Sequence, residues 1–170
     1  SGRSIMRLIR KHGTFDQKKQ WRQLCNIVDH SSLTENLFDT AAKKQKIKIN
    51  LPKEFRTLTS RTITRAALPA ISYLKRRGVD TADILYWKMG YCATGEYKDR
   101  IIIPSFNMAG DINYFIARSY NFNARLKYKN PNVSKDIVFN ELFVNFDDDV
   151  VLVEGAFDAV TVGQNSIPLL

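Results

Sequence analysis

The chain has 170 residues, 44% of them hydrophobic and 25% charged, which excludes an intrinsically disordered protein and suits one ordinary domain or two small ones. No apolar run approaches the roughly 20 residues of a membrane span and no long apolar signal core opens the chain, so a cytoplasmic protein without a membrane partner is expected. Formal charge is +9 but unevenly spread, with 18 Lys/Arg against 5 Asp/Glu in residues 1–78 and 8 against 12 in residues 79–170.

That split is the electrostatic footprint of a nucleic-acid binder placed upstream of a more acidic segment, with a merely solubilising surface as the plainer reading. Cys25 and Cys92 lie far apart with no Cys-x-x-Cys, so neither a disulfide framework nor a complete zinc site is encoded. His12 and His30 read as surface residues.

In chain order, Ser4 to Gly13 predicts a short amphipathic helix with Ser4 as N-cap and Gly13 as its stop. Asp16 is the expected cap of a second helix, in which Trp21, Leu24, Cys25 and Val28 fall on one face at i, i+3, i+4, i+7. Ser32-Leu-Thr-Glu35 has the pattern of a capping box for a third helix, with Leu33, Leu37 and Phe38 turned inward. Lys46 to Pro52 alternates briefly, and residues 44–65 read as a basic linker.

From Ala66 the pattern grows denser. A helix through Pro69, Ile71, Tyr73 and Leu74 stops at Arg76-Arg77-Gly78, and a shorter one follows, with Thr81 as cap and Gly90 as its end. Arg100 to Phe106 and Ile112 to Tyr120 are strand-like runs joined through Asn107-Met-Ala-Gly110, which predicts a hairpin. Pro104 places its strand at an edge or near a bulge. Residues 66–146 therefore predict a mixed α+β unit.

Asp147-Asp148-Asp149 reads as a solvated turn. The unbroken apolar run Val150 to Val153 predicts a strand buried on both faces, as in a parallel sheet, and it ends on Glu154. Gly155 permits a tight exit into a helix from Phe157 to Val162, which projects Glu154 into the crevice where open α/β sheets bind ligands. Asn165 to Leu170 reads as the turn into a second strand, so residues 149–170 begin a parallel-sheet domain.

Glu154-Gly155 with Asp158-Ala159, directly after a strand, resembles the first motif of the Toprim fold. Three further segments, in order, narrow the resemblance to the bacterial and phage replicative DNA primases. Tyr73-Leu-Lys-Arg-Arg-Gly78 with Ile84 to Tyr91 is similar to the opening of their RNA-polymerase core. Arg100-Ile-Ile-Ile-Pro104 with Gly110 and Arg118 resembles their hairpin, and Lys127-Tyr128-Lys129-Asn130-Pro131 followed by Phe139 their "KYxN" segment. The resemblance covers residues 66–170.

It implies an α+β primase-core subdomain at 66–146, leading into the start of a Toprim domain at 147–170. A helical segment at 1–43 and the basic linker at 44–65 would precede it. The implied activity is DNA-directed synthesis of short RNA primers on single-stranded DNA during replication, in a bacterial cell or phage-infected host. The implied partners are the single-stranded template, ribonucleoside triphosphates and a replicative helicase.

Glu154 is the implied catalytic residue and a ligand of Mg²⁺ or Mn²⁺, with Asp158 as a further ligand. Hard cations that neutralise a transferring phosphoryl group take clustered carboxylates. The family's Asp-x-Asp ligands and its zinc ribbon are expected outside this sequence, zinc being confined to the latter, and residues 1–170 alone are expected to be inactive. Arg100, Arg118 and Lys127 are implied donors to triphosphate oxygens. Tyr128 between Lys127 and Lys129 offers stacking and charge to a template, and Asn130 a polar contact. These groups, with Arg125, are expected to face the same groove as Glu154.

The sequence departs from the family at Asn140-Glu141, where a basic residue is expected. Two other classes remain open: a Toprim nuclease or topoisomerase, and a non-catalytic module that binds single-stranded nucleic acid.

Overall fold

The computed structural model describes residues 2–24, 49–60 and 62–170. The expected third helix, the inward Cys25 and Val28, and His30 lie outside the described residues. The architecture is α+β. Helices α1 (Gly2–His12) and α2 (Phe15–Leu24) precede strand β1 (Arg56–Thr57), helices α3 (Leu68–Arg76) and α4 (Thr81–Tyr86), and strands β2 (Gly90–Cys92), β3 (Arg100–Phe106) and β4 (Ile112–Ser119). Strand β5 (Val151–Val153), helix α5 (Ala156–Val162) and strand β6 (Ser166–Pro168) follow.

Strands β1 to β4 form one antiparallel sheet in sequence order. The predicted hairpin is its centre, with Ile102 opposite Ala117 and Ile103 opposite Ile116. Pro104 lies beyond the reach of β2 and beside a bulge at Ser105/Phe106, where a missing backbone donor is tolerated. The stretch read as a basic linker supplies β1, whose two residues are too few to show an alternation in sequence. Gly90 makes that pairing possible: a Cβ there would lie 2.2 Å from the Phe55 ring. Instead of ending a helix, Gly90 starts β2.

The helix caps differ from the expected ones by one or two residues. Thr14, not Asp16, caps α2: its hydroxyl accepts from Gln17 N at 3.3 Å, while Gln17 Oε1 accepts from Thr14 N at 2.8 Å. Asp80, not Thr81, caps α4 in a reciprocal pair with Asp83. Ser4 lies inside α1. Each true cap is a short acceptor followed three residues later by a side chain that reaches back, satisfying two donors that helix geometry leaves free. Helix α4 ends at Tyr86, and Lys88 makes the turn at φ +50.

The sheet has two different faces. Tyr91, Ile101, Ile103, Tyr114 and Ile116 pack against Ala70 and Leu74 of α3, Trp87, Met89, Phe139 and the α5 residues Phe157 and Val160. Burying each large side chain of this kind contributes roughly 1.5–3 kcal/mol. On the other face Cys92, Ile102, Phe115 and Ala117 are covered by Ile49, Leu51, Phe55 and Tyr97. Burial there pushes the Cys92 thiol up to about 12, so it is an inert core residue.

Strand β5 pairs in parallel with β6, Leu152 opposite Ile167, as the apolar run and the following turn predict. Its expected burial on both faces is corrected. Val151 is 46% and Leu152 40% exposed, because among the described residues β5 pairs only with β6 and no layer covers its outer side.

Helix α2 has no buried residue, and Leu24 is exposed rather than inward. Polar contacts hold α1 to the rest. Arg7 meets Asp136, and Lys11 Nζ and His12 Nε2 reach Glu141 at 2.5 and 3.0 Å. His12 is thus not a free surface residue; its ring also stacks on Phe146 with centroids 3.6 Å apart. Among the described residues no helix is long and apolar enough to cross a membrane.

Candidate functional site

Which cations can meet a ligand is decided at the outer edge of β4. Tyr128 bridges Arg118 in antiparallel fashion, Ser119 N donates to Lys127 O at 2.8 Å, and Lys129 N donates to Ala117 O at 2.9 Å. Residues 127–129 therefore run as a short extended segment alongside β4. Successive side chains on such a segment point to opposite faces. Tyr128 stands beside Arg118 on the face of Ile101 and Ile116, while Lys127 and Lys129 stand on the face of Phe115 and Ala117.

On the first face five side chains converge. Arg118 Nε donates to the Tyr73 hydroxyl at 2.6 Å, and its Nη1 donates to the Tyr128 hydroxyl. Its guanidinium lies 4.8 Å from the Tyr128 ring centroid and 5.6 Å from that of Phe157. Arg77, at the end of α3, sits over the same Phe157 ring at 4.8 Å and over Tyr73 at 5.5 Å. Burial by itself would lower the Arg118 pKa, but the hydrogen bonds to the Tyr73 and Tyr128 hydroxyls raise it overall. Neither guanidinium pairs with a carboxylate among the described residues. Two cations held on aromatic faces, with donors unspent on any anion, make a seat for phosphate oxygens.

Phe157 joins this cluster to the strand-end carboxylate, since it belongs to α5, three residues after Glu154. Glu154 is exposed at the end of β5, and Gly155 caps α5 with extended backbone. Gly155 also leaves room for Asp158, whose Oδ2 lies 3.0 Å from where a Cβ would stand. Glu154 and Asp158 have the hard oxygen donors that a divalent cation takes. Among the described residues no group of three or more His, Cys, Asp or Glu side chains is placed to hold a metal. The exposed turn Asp147-Asp148-Asp149 serves Asn145, whose amide donates to Asp148 at 2.6 Å.

The opposite face receives Arg100, Lys127 and Lys129, each of which has a partner within the protein. Arg100 is only 8% exposed. It donates to the carbonyls of Leu126 at 3.0 Å, Lys127 at 3.3 Å and Ala117 at 3.5 Å, and burial lowers its pKa. Lys127 Nζ donates to Phe122 O at 2.8 Å and lies over the Phe122 ring. Lys129 pairs with Glu96 at 3.1 Å, above the Tyr97 ring. The Asn130 side chain accepts from Ala117 N at 3.1 Å. The expected single groove is thus divided: Arg118 and Tyr128 gather with the helix that follows Glu154, and Asn130 lies on their side of the sheet beside Tyr114, whereas Arg100, Lys127 and Lys129 brace the other face and the adjoining loop.

Sequence reasoning missed Arg77 as a site residue. Its signal was the i, i+4 spacing from Tyr73 on a predicted helix, which puts both on one side. The departure at Glu141 has a structural role, since that buried carboxylate receives Lys11 and His12.

No protein-family profile matches this chain, and no curated protein sequence does. Solved structures do. The chain is similar to the DnaG primase catalytic domain bound to single-stranded DNA, at 15% identity and TM-score 0.54 over 63% of this chain and 49% of that one. It is also similar to the Escherichia coli primase catalytic core, at 17% identity and TM-score 0.54 over 63% and 49%. The RNA polymerase domain of Mycobacterium tuberculosis DnaG aligns at 18% identity and TM-score 0.51 over 62% and 50%. The likeness is one of fold, and the chain spans about half the length of the structures it matches.

Proposed function

We propose that the protein belongs to a primer-synthesising machinery: a nucleotidyltransferase that joins ribonucleotides on a single-stranded DNA template. The observation that carries the reading is the pairing of a primase-core fold with an unpaired Arg77–Arg118 cluster whose Phe157 floor belongs to the helix following Glu154. In such a transfer the 3′-hydroxyl oxygen of one ribonucleotide attacks the α-phosphorus of a ribonucleoside triphosphate, and pyrophosphate leaves.

Arg77 and Arg118 bind phosphate oxygens, of the template backbone or of the triphosphate, as charge-assisted donors fixed on aromatic faces. Tyr128, 43% exposed beside Arg118, offers a ring to an unpaired base. Glu154, with Asp158, would hold Mg²⁺ or Mn²⁺, which supplies charge neutralisation at the attacking and leaving oxygens. Two carboxylates suit a cation that completes its shell with water and substrate phosphates. The glutamate-strand-helix unit is read as the start of a Toprim domain on its Glu154-Gly155 and Asp158-Ala159 pattern. A replicative helicase as partner, and a zinc ribbon elsewhere in the protein, rest on the sequence resemblance.

The test is Mg²⁺-dependent ribonucleotide incorporation on single-stranded DNA by the whole protein. Glu154→Gln is expected to reduce synthesis by more than about 100-fold, since it removes stabilisation made at the transition state, while template binding is kept. Equal rates for the two proteins would remove Glu154 from the catalytic site. One other reading is a non-catalytic single-strand binder, which the cationic and aromatic cluster would serve by itself. That reading predicts binding that survives EDTA, and no incorporation at all.

A further inference from the structure

We infer that the loop between Tyr120 and Lys127 is a separate contact for single-stranded nucleic acid, with Phe122 as the surface on which an unpaired base stacks. The inference rests on the reading above for the identity of the strand, and it adds a second contact for that strand, apart from the Arg118 cluster.

Charge comes first. Residues 112–135 contain no Asp or Glu and five basic residues, Arg118, Arg125, Lys127, Lys129 and Lys135, in a chain whose second half is otherwise acidic. Phe122 stands in this acid-free stretch and is 90% exposed, against 61% for Leu126. One exposed apolar side chain is ordinary on a protein surface. What sets Phe122 apart is the structure spent on holding it out.

The loop is tied down at both ends. Asn121 N donates to the Ser119 hydroxyl at 3.1 Å, and Asn123 N to the Asn121 side chain at 2.9 Å, which closes a tight polar turn around Phe122. On the return limb the buried Arg100 guanidinium holds the Leu126 and Lys127 carbonyls. Taking a guanidinium out of water is costly, and here the cost is met by fixing the base of a surface loop. Lys127 then bridges the two limbs, its ammonium donating to Phe122 O and standing 5.2 Å from the ring centroid. An aromatic ring on a braced backbone turn, with Lys127 over it and the exposed Arg125 three residues on, has the parts of a single-strand platform: a π-face for any base and cations for the flanking phosphates.

The same parts argue against a protein partner of acidic character, which would engage the cations but not need a braced, isolated ring. An apolar protein groove would accept any large aliphatic side chain at 122, and this difference is what the experiment reads.

The test is titration of the full chain with a fluorescent oligothymidylate at several salt concentrations. Phe122→Ala and Phe122→Leu are both expected to weaken binding on the order of 5- to 100-fold with an unchanged salt slope, since a stack releases no counterions. Phe122→Trp is expected to restore affinity, and its added emission to be quenched at saturation. The side chain is almost wholly exposed, so the variants test binding and not folding. Wild-type affinity in Phe122→Ala overturns the inference. Wild-type affinity in Phe122→Leu, or unquenched emission in Phe122→Trp, overturns stacking in favour of a plain apolar contact. Failure here is separable from failure of the proposed function: normal binding by Phe122→Ala beside lost synthesis in Glu154→Gln sinks this inference alone, and the reverse pair sinks only the catalytic reading.

Discussion

Arg100 and Arg118 stand near one another on paired strands, and the two faces of the sheet use them differently. On the helix-covered face Arg118 is held by two tyrosine hydroxyls and an aromatic floor, with no carboxylate among the described residues to neutralise it. On the other face Arg100 is buried and gives its donors to three backbone carbonyls. Residue type is the same in both. The register between the strands, which sets Arg100 opposite Ser119 and Arg118 opposite Ile101, separates a cation available to a ligand from one that builds the loop beside it.

The strongest way to break this contrast is to remove the buried member. Arg100→Ala leaves the Leu126, Lys127 and Ala117 carbonyls short of a donor and is expected to cost about 3 kcal/mol, seen as a lower urea midpoint. Arg118→Ala is expected to cost less, about 1.5 kcal/mol of stability, because the Tyr73 and Tyr128 hydroxyls it releases are not buried and can turn to water. If the two losses prove equal, the division into structural and available arginines fails.

Next in size is the binding effect on the open face. Arg118→Ala is expected to weaken single-stranded DNA binding by about tenfold and to reduce the salt slope by about one, the signature of one lost phosphate contact. Arg77→Ala, on the same Phe157 ring, should behave alike.

Glu141 extends the comparison to an anion. Burial by itself raises its pKa, but hydrogen bonds from Lys11 and His12 and their charges outweigh that and leave it lowered. A carboxylate whose folded pKa is depressed contributes stability above its unfolded pKa and loses it as pH falls through the folded value. The docking of α1 is therefore expected to be complete above about pH 4.5, the ordinary carboxylate value, and to weaken at more acid pH. Hydrogen exchange of the α1 amides across that range measures it, and Glu141→Gln should reduce the pH dependence.

The smallest effect belongs to Lys129, whose partner Glu96 is largely exposed. Lys129→Ala is expected to change stability by less than about 0.5 kcal/mol, as surface ion pairs do, read from the same urea midpoints.

Legibility in the sequence followed the distance over which each feature is determined. The hairpin of β3 and β4 could be read because apolar runs and Gly110 lie within twenty residues of each other. The caps of α2 and α4 were misplaced because Thr14 and Asp80 compete with equally suitable neighbours, Asp16 and Thr81, and only backbone geometry chooses. That Arg100 gives its donors to the carbonyls of Leu126, Lys127 and Ala117 could not be read, because those partners lie 17 to 27 residues away and are met only once the strands pair.

What the sequence by itself determined is local: helices α3 and α4, the central hairpin, and a strand ending on Glu154 before a helix, each encoded by apolar period and turn residues within one element. Only the tertiary structure decided that β1 joins the sheet and that β5 is exposed. It alone set Tyr128 beside Arg118 while Lys127 and Lys129 face away, and placed Arg77 on the Phe157 ring. The physical reason is that the face of a side chain depends on the register between segments remote in sequence, and a shift of one residue would exchange the two faces and with them the site.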